Sequence, residues 1–221
     1  MKHHRLTPIL AGLVLFISAG TAGPDSGAQV APGRDASLDA KVRAFLEKSR
    51  YSWRDMNVPE SDGKILFDLI VDNNYTRALE IGTSTGHSAV WMAWALSRTG
   101  GKLITVEIDA GRHREAVANF REAGLAAFVD ARLADAHELV PALPGPFDFV
   151  FIDADKDWYT NYARAVIPKL APGGCIAAHN VYAPRPGARG RWRGGTGDYY
   201  EFMSSQPGFE TSIHPGSRSG L

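Results

Sequence analysis

The segment ALEIGTSTGHSAV, residues 78–90, constrains the fold of this chain more than any other part of its sequence. An apolar run ends in Glu80, then Gly82 and Gly86 follow, and an apolar pattern with helical spacing comes next. This order predicts a strand, a tight turn and a helix, because glycine tolerates positive φ and lets a ligand approach the backbone closely. The helix N-terminus would offer free N–H groups and a partial positive charge. The glycine spacing differs from the G-x-G-x-x-G of dinucleotide-binding turns.

The composition limits the size of the fold and the class of partner. The chain has 221 residues, enough for one α/β domain with a sizeable core. Its 24 basic and 24 acidic side chains give a formal net charge of zero, so no nucleic acid partner is expected. Cys175 is the only cysteine in the sequence, which excludes an internal disulfide and a Cys/His zinc cluster.

The first residues have the layout of a secretory signal peptide: a basic start, an apolar run over residues 6–19, and then small residues. We expect residues 1–22 to be a signal peptide, 23–37 a flexible linker and 38–221 the folded domain. The apolar run is shorter than the roughly 20 residues that span a bilayer, so no stable membrane span is expected after cleavage. The predicted location is the periplasm or the outside of the cell. The alternative is an anchor formed by an uncleaved N-terminal segment.

Strands and helices are predicted to alternate after Ser37, which is expected to cap the first helix. The predicted strands lie near residues 77–81, 102–108, 128–133, 147–152 and 175–178. The further helices are expected near residues 61–73, 87–97, 112–123, 137–143, 158–170 and 198–205, with a last strand near 209–214. This alternation predicts a Rossmann-like, doubly wound α/β fold with a mostly parallel sheet.

Polar side chains follow each predicted strand, at the edge where parallel sheets bind their ligands. They are Glu80, Glu107 with Asp109, Asp135, Asp153 with Asp155 and Lys156, and His179 with Asn180. A carboxylate after the second strand suits a ribose diol, because it can accept two hydroxyl hydrogen bonds. Each acid alone could be a solvated loop residue, but the agreement of five strand ends favours a binding site.

Five segments follow one another in fixed order between residues 51 and 181: WRDMNVPESDGKILFDLI, LEIGTSTGHSAVWMA, LITVEID, FVFIDADKDWY and GGCIAAHNV. Together they resemble the catechol and caffeoyl-CoA O-methyltransferase family. The resemblance implies a single α/β domain that uses S-adenosylmethionine (SAM), usually with a divalent metal. The implied activity is transfer of a methyl group from SAM to a hydroxyl of a small, catechol-like aromatic acceptor.

The resemblance also implies a role for individual residues. It assigns the methyl-donor pocket to Met56, Asn57 and Val58, the methionine part of SAM to Glu80, Gly82, Thr83 and Ser88, the ribose to Glu107, and the adenine to Asp135, Ala136 and His137. It assigns Asp153 to the metal beside the cofactor, Lys156 to the catalytic base, and His179 and Asn180 to the other two metal ligands.

The chemistry requires these residue types. Methyl transfer is an in-line displacement, so the acceptor hydroxyl must face the methyl group and lose its proton. A divalent metal bound to two adjacent oxygens of the acceptor lowers their pKa. Lys156 can take the proton or hold the resulting phenolate by its charge.

Position 179 departs from the family pattern, because the family carries Asp there and this chain carries His179. Magnesium prefers oxygen ligands, whereas imidazole suits zinc, iron or nickel, and manganese less so. Three hypotheses stay open: a changed metal, a weakened metal site, or no metal at all.

The C-terminal part departs from the family as well. Residues 181–197 are rich in Arg, Gly and Pro, which predicts either a substrate lid or a solvated basic loop. The last antiparallel strand of the family is expected to be short or missing.

Two other functions stay open: a non-catalytic SAM-binding pseudoenzyme, and a nicotinamide dehydrogenase, which the glycine spacing does not favour. The oligomeric state also stays open, with a homodimer as one hypothesis.

Overall fold

A five-stranded, all-parallel sheet forms the centre of the protein in a computed structural model that describes residues 35–53, 56–182 and 196–221. Within these residues the strands are β1 (Arg77–Ile81), β2 (Lys102–Glu107), β3 (Val129–Leu133), β4 (Phe147–Ile152) and β5 (Leu170–Ala178). Their order in the sheet is β3-β2-β1-β4-β5. Strands β2 and β3 are added on one side of β1, and β4 and β5 on its other side, so the strand order reverses at β1. Ligands of such sheets bind beyond the strand ends at this switch point.

Seven α-helices cover the two faces of the sheet in the described part of the chain. They are α1 (Ala36–Ser49), α2 (Glu60–Asp72), α3 (His87–Thr99), α4 (Ala110–Glu122), α5 (Ala136–Ala142), α6 (Tyr159–Val166) and α7 (Thr196–Ser204). This arrangement confirms the predicted doubly wound α/β fold. No helix in the described ranges is long and apolar enough to cross a membrane.

The core lies in two layers, one on each face of the sheet, because successive strand side chains point to opposite faces. On β4, Phe149 and Phe151 pack into the layer that contains residues of α1 to α4. Val150 and Ile152 pack into the layer that contains residues of α5 to α7. All four side chains are fully buried, which is typical of a central parallel strand and explains why residues 149–152 of β4 are all apolar.

The predicted bounds of β1 and β4 agree with the structure, and most other elements agree within two residues. The predicted cap of α1 is wrong. Asp35 is the cap, and its Oδ1 accepts hydrogen bonds from the backbone N–H groups of Ser37 at 2.9 Å and Leu38 at 3.2 Å. The sixth helix is shorter than predicted, because Pro168 has no N–H to continue it, and the chain passes into a short 3₁₀ turn, Ile167–Lys169.

Strand β5 begins earlier than predicted, at Leu170, with an irregularity in its pairing with β4. The strand predicted near residues 209–214 is wrong, since these residues form no strand. Their sequence alternates as in a strand, but no neighbouring strand of the described residues pairs with them. The backbone N–H of His214 donates to the carbonyl of Leu221 at 2.7 Å, and one such hydrogen bond does not make a strand pair. A groove of about 810 Å³ lies between this segment, β5 and α7. In the described residues the family's last antiparallel strand is accordingly not formed.

The predicted signal peptide, most of the predicted linker and most of the Arg-rich segment fall on residues 1–34 and 183–195, outside the described residues.

Candidate active site

The turn between β1 and α3 has the predicted geometry. Gly82 has a φ of 101°, and Gly86, which caps α3, has a φ of 99°. The N–H groups of Gly82 and Thr83 both donate to the carbonyl of Val106 at 3.1 Å. A Cβ on Gly82 would lie 2.5 Å from the backbone oxygen of Asp153. The turn therefore packs directly against the end of β4, and only glycine fits there.

Glu80 is buried at the end of β1, beneath this turn. Its carboxyl oxygens accept hydrogen bonds of 2.5 Å from the hydroxyl groups of Ser88 and Thr105. Burial raises the pKa of Glu80 to about 8, although the two hydrogen bonds act in the opposite direction. The group is consequently mostly protonated at neutral pH, and a cation bound beside it would favour its ionised form.

Glu107, at the end of β2, organises the same turn. Its Oε2 accepts the backbone N–H of Ser84 at 2.7 Å, and its Oε1 accepts that of Asp109 at 2.9 Å. Each carboxylate oxygen has two acceptor positions, so Glu107 keeps the capacity to accept a diol. Asp109 itself caps α4, and its hydrogen bonds with the backbone of α4 lower its pKa.

The residues predicted to hold adenine lie together at the start of α5, whose first residue is Ala136. Asp135 caps the helix and accepts the backbone N–H of His137 at 2.8 Å. The His137 ring stacks on Trp158, with ring centroids 3.8 Å apart and an angle of 17° between the planes. Its Nε2 lies 3.5 Å from the carboxylate of Asp155, so this ring is fixed on two sides.

Asn57 and Val58 contact the glycine turn from the segment before α2. The side-chain amide of Asn57 donates to the hydroxyl of Thr85 at 2.8 Å. The carbonyl of Val58 lies 2.8 Å from Nδ1 of His87, the first residue of α3. Met56 has a φ of 48° and is 70% exposed. The structure thus brings two of the three predicted donor-pocket residues against the turn and leaves the side chain of Met56 at the surface.

Lys156 lies beside Asp153, as predicted. Its ammonium group donates to Oδ1 of Asp153 at 2.6 Å and to the hydroxyl of Tyr159 at 2.7 Å. The hydroxyl of Tyr159 donates in turn to the backbone carbonyl of His179 at 3.1 Å. Burial raises the pKa of Tyr159 above its ordinary value, so it stays a neutral phenol. Tyr159 is not among the site residues predicted from the sequence, although its position three residues after Lys156 is a helical spacing that could have indicated it.

His179, at the end of β5, lies between two carboxylates. Its Nε2 is 3.1 Å from Oδ2 of Asp62, and its Nδ1 is 3.5 Å from Oδ2 of Asp153. Asp62 is fully buried in the first turn of α2. Asp62 is not among the site residues predicted from the sequence, because 117 positions separate it from His179 and no local pattern joins them.

Asn180 follows His179 with a φ of 58°. Its side-chain amide donates to the carbonyl of Ser219 at 3.3 Å. Within the described ranges, no three His, Cys, Asp or Glu side chains form a ready-made metal site. Any metal at this place would therefore depend on the amide oxygen of Asn180, on water or on the acceptor, besides Asp153 and His179.

The family model described as O-methyltransferase matches residues 34–184. The chain belongs to this O-methyltransferase family. Two relatives are a catechol O-methyltransferase from Niastella koreensis, 39% identical over 147 residues, and caffeoyl-CoA O-methyltransferase 1 from Eucalyptus globulus, 31% identical over 138 residues. The matches cover 65% and 60% of this chain, and 66% and 56% of the length of these relatives.

Solved structures of O-methyltransferases have the same fold. The O-methyltransferase from Bacillus cereus in complex with SAH has a TM-score of 0.61 and 26% identity, and the match covers 79% of this chain and 81% of that one. The O-methyltransferase TomG from Streptomyces achromogenes in complex with SAM has a TM-score of 0.55 and 31% identity, covering 67% and 66%. The family resemblance inferred from the five sequence segments is thereby confirmed.

Proposed function

We propose that this chain transfers the methyl group of SAM to a hydroxyl of a small, catechol-like aromatic acceptor. The observation that carries the proposal is the contact between Gly82 and the backbone of Asp153. Because of that contact, the turn expected to bind SAM lies directly beside the Asp153–Lys156 pair. Family membership and the naming of two relatives after catechol and caffeoyl-CoA support this acceptor class.

The donor would bind across the ends of β1, β2 and β3. The turn at Gly82 would contact the methionine part of SAM, with Glu80 below it. Glu107 would accept the ribose hydroxyls, and residues 135–137 would contact the adenine. Relatives solved with SAM and SAH support this choice of cofactor.

In the reaction, the acceptor oxygen forms a bond to the methyl carbon while the carbon–sulfur bond breaks. The sulfonium becomes a neutral thioether, and the proton of the hydroxyl passes to solvent water when Lys156 is the charged ammonium, or to Lys156 when the lysine acts as the base. Lys156 donates two hydrogen bonds to Asp153 and Tyr159, and an ammonium group has three donors. The third can hold the acceptor oxygen as a phenolate, and this role is favoured by the ion pair with Asp153, which stabilises the charged lysine.

A divalent metal is proposed as well, and the donor set fits one that accepts nitrogen. Asp153 offers a carboxylate, His179 an imidazole and Asn180 an amide, and Nδ1 of His179 faces Asp153. A metal there would lower the pKa of the acceptor hydroxyl. Zinc, iron and nickel accept imidazole better than magnesium does.

A methylation screen tests the proposal. We expect calorimetry to detect SAM binding, and a panel of dihydroxy aromatics with several divalent metals to yield a methylated product. A chelator in parallel reactions measures the dependence on metal. Binding of SAM without turnover on any acceptor would favour the pseudoenzyme hypothesis, and absence of SAM binding would contradict both.

Lys156→Ala should reduce turnover by about 100-fold or more, the scale typical of a positioned proton-transfer group. Lys156→Arg separates the two roles, because arginine keeps the charge but does not accept a proton. A phenolate-holding role predicts that the Arg variant retains much more turnover than the Ala variant. Equal losses with unchanged SAM affinity would instead indicate a base. Wild-type turnover in the Ala variant would contradict both roles.

We also propose that the basic and apolar N-terminal segment directs export, with cleavage near Ala22. Mass spectrometry of the protein from its native cells should find the mature N-terminus after the apolar run. An intact Met1 in the cytosolic fraction would contradict export.

A further inference from the structure

The orientation of the His179 ring is fixed by a residue outside the predicted site. Oδ2 of Asp62 lies 3.1 Å from Nε2 of His179 and also accepts the hydroxyl of Ser217 at 3.0 Å. A carboxylate oxygen accepts hydrogen bonds, so Nε2 is the His179 nitrogen that serves as donor in this contact. The other ring nitrogen, Nδ1, is then the one placed to coordinate a metal through its lone pair.

That lone pair faces a second acceptor. Nδ1 of His179 lies 3.5 Å from Oδ2 of Asp153, while the other oxygen of Asp153 accepts the ammonium group of Lys156. Two acceptors that face each other repel unless a cation or a proton lies between them. The 3.5 Å separation suits two ligand atoms of one metal, since imidazole nitrogen and carboxylate oxygen bind zinc at roughly 2.0–2.2 Å.

We propose that Asp62 is a positioning residue for the metal: it holds His179 with Nδ1 toward Asp153 and thereby makes the site select a nitrogen-accepting metal over magnesium. A ligating histidine usually donates its other N–H to a carboxylate, which fixes the tautomer and raises the basicity of the ligand. The inference rests on the metal assistance proposed above. It gives Asp62 a function in the metal site in addition to any structural role in α2.

A purely structural role for Asp62 makes a different prediction. A fully buried carboxylate destabilises a fold unless it is hydrogen-bonded, and His179 and Ser217 satisfy this requirement. If that were its only role, removing its charge would change the free energy of unfolding and leave metal affinity unaffected.

The experiment measures metal binding by the full chain. Equilibrium dialysis with Mg²⁺, Mn²⁺, Co²⁺ and Zn²⁺ gives the affinities, and pulsed electron paramagnetic resonance of bound Mn²⁺ or Cu²⁺ detects coupling to an imidazole nitrogen. We expect nitrogen coupling in the wild type and a preference for Co²⁺ or Zn²⁺ over Mg²⁺. Asp62→Asn should weaken the affinity for Co²⁺ and Zn²⁺ by about 10–100-fold and leave SAM affinity unchanged.

Two further variants keep the test decisive. Asp148→Asn is the matched control, because Asp148 accepts the backbone N–H groups of Thr76 and Arg77 at the opposite end of the sheet. It should lower stability without changing metal affinity. His179→Asp should lose the nitrogen coupling and gain Mg²⁺ affinity. If Asp62→Asn does not fold, the coupling in the wild type and its loss in His179→Asp still test whether the imidazole of His179 coordinates the metal, and the inference is overturned if it does not.

Absence of metal binding in the wild type, binding without nitrogen coupling, or unchanged metal affinity in a folded Asp62→Asn would overturn the inference. Methyl transfer that persists in a chelator would then leave the proposed function standing without the metal. Conversely, a nitrogen-coupled metal in a protein that methylates no acceptor would support the role of Asp62 and contradict the proposed reaction.

Discussion

The buried carboxyl group of Glu80 should make the stability of the ligand-free protein depend on pH. Burial raises its pKa from the ordinary 4.5 to about 8. Between these two pH values the folded protein holds a proton that the unfolded chain has released. The contribution to stability is therefore fully present below pH 4.5 and is lost as the pH rises to about 8.

The size of the effect follows from the width of this window. Each pH unit within it changes the free energy of unfolding by at most about 1.4 kcal/mol. The whole window corresponds to an upper limit of roughly 5 kcal/mol. Glu80→Gln removes the titrating proton and keeps a planar group that can hydrogen-bond to Ser88 and Thr105. We expect the variant to lose this part of the pH dependence and to exceed the wild type in stability on the alkaline side of the window.

Urea unfolding followed by tryptophan fluorescence, repeated at pH values across the window, measures the difference between the two proteins. Glu122→Gln serves as the control, because Glu122 is an exposed partner of Lys48 and should leave the curve unchanged. Parallel pH profiles for the wild type and Glu80→Gln would refute the reasoning, since they would show that Glu80 ionises in the folded protein as it does in the unfolded chain.

Two further variants test the donor site. Glu107→Ala removes a carboxylate whose hydrogen bonds to the ribose would each contribute roughly 1.5–3 kcal/mol, so SAM affinity should fall at least about 10-fold; unchanged affinity in calorimetry would contradict the ribose assignment. Gly82→Ala, with a φ of 101° and a Cβ 2.5 Å from the Asp153 oxygen, should destabilise the protein by more than the roughly 1–3 kcal/mol of backbone strain alone. Gly173→Ala measures the backbone strain alone, because the φ of Gly173 is 77° and no atom lies within 4 Å of the added Cβ. Equal losses of stability for the two variants in thermal unfolding would disprove the contact at Gly82.

Sequence alone predicted the features that depend on short stretches of chain. Residues 149–152 of β4 form an apolar run that Asp153 follows, and in β1 the apolar pair Ala78 and Leu79 leads to Glu80 and Gly82. Both were located correctly because burial on two faces leaves a continuous apolar sequence, and a ligand-binding edge leaves polar residues after it. The pairing of Lys156 with Asp153 could also be predicted, because only three positions separate the two residues in the sequence.

The remaining features depend on contacts between distant parts of the chain. The hydrogen bond between Asp62 and His179 joins α2 to the end of β5, and nothing near either residue indicates the other. The raised pKa of Glu80 depends on its burial, which only the assembled fold creates, and it persists against the opposing hydrogen bonds from Ser88 and Thr105. Residues 209–214 alternate as a strand does, yet a strand exists only where a neighbour completes its hydrogen bonds, and sequence does not reveal that neighbour.

Strand β5 borders the groove beside residues 209–214, and among the described residues it pairs with β4 alone. An unpaired edge is a surface on which a strand of another molecule can add, and natural sheets protect such edges with proline, charge or irregular backbone. Pro172 offers no N–H, and Gly173 turns the backbone into the left-handed region. These two residues interrupt the edge of β5 near its start, so an added strand could pair continuously only with the last few residues of β5.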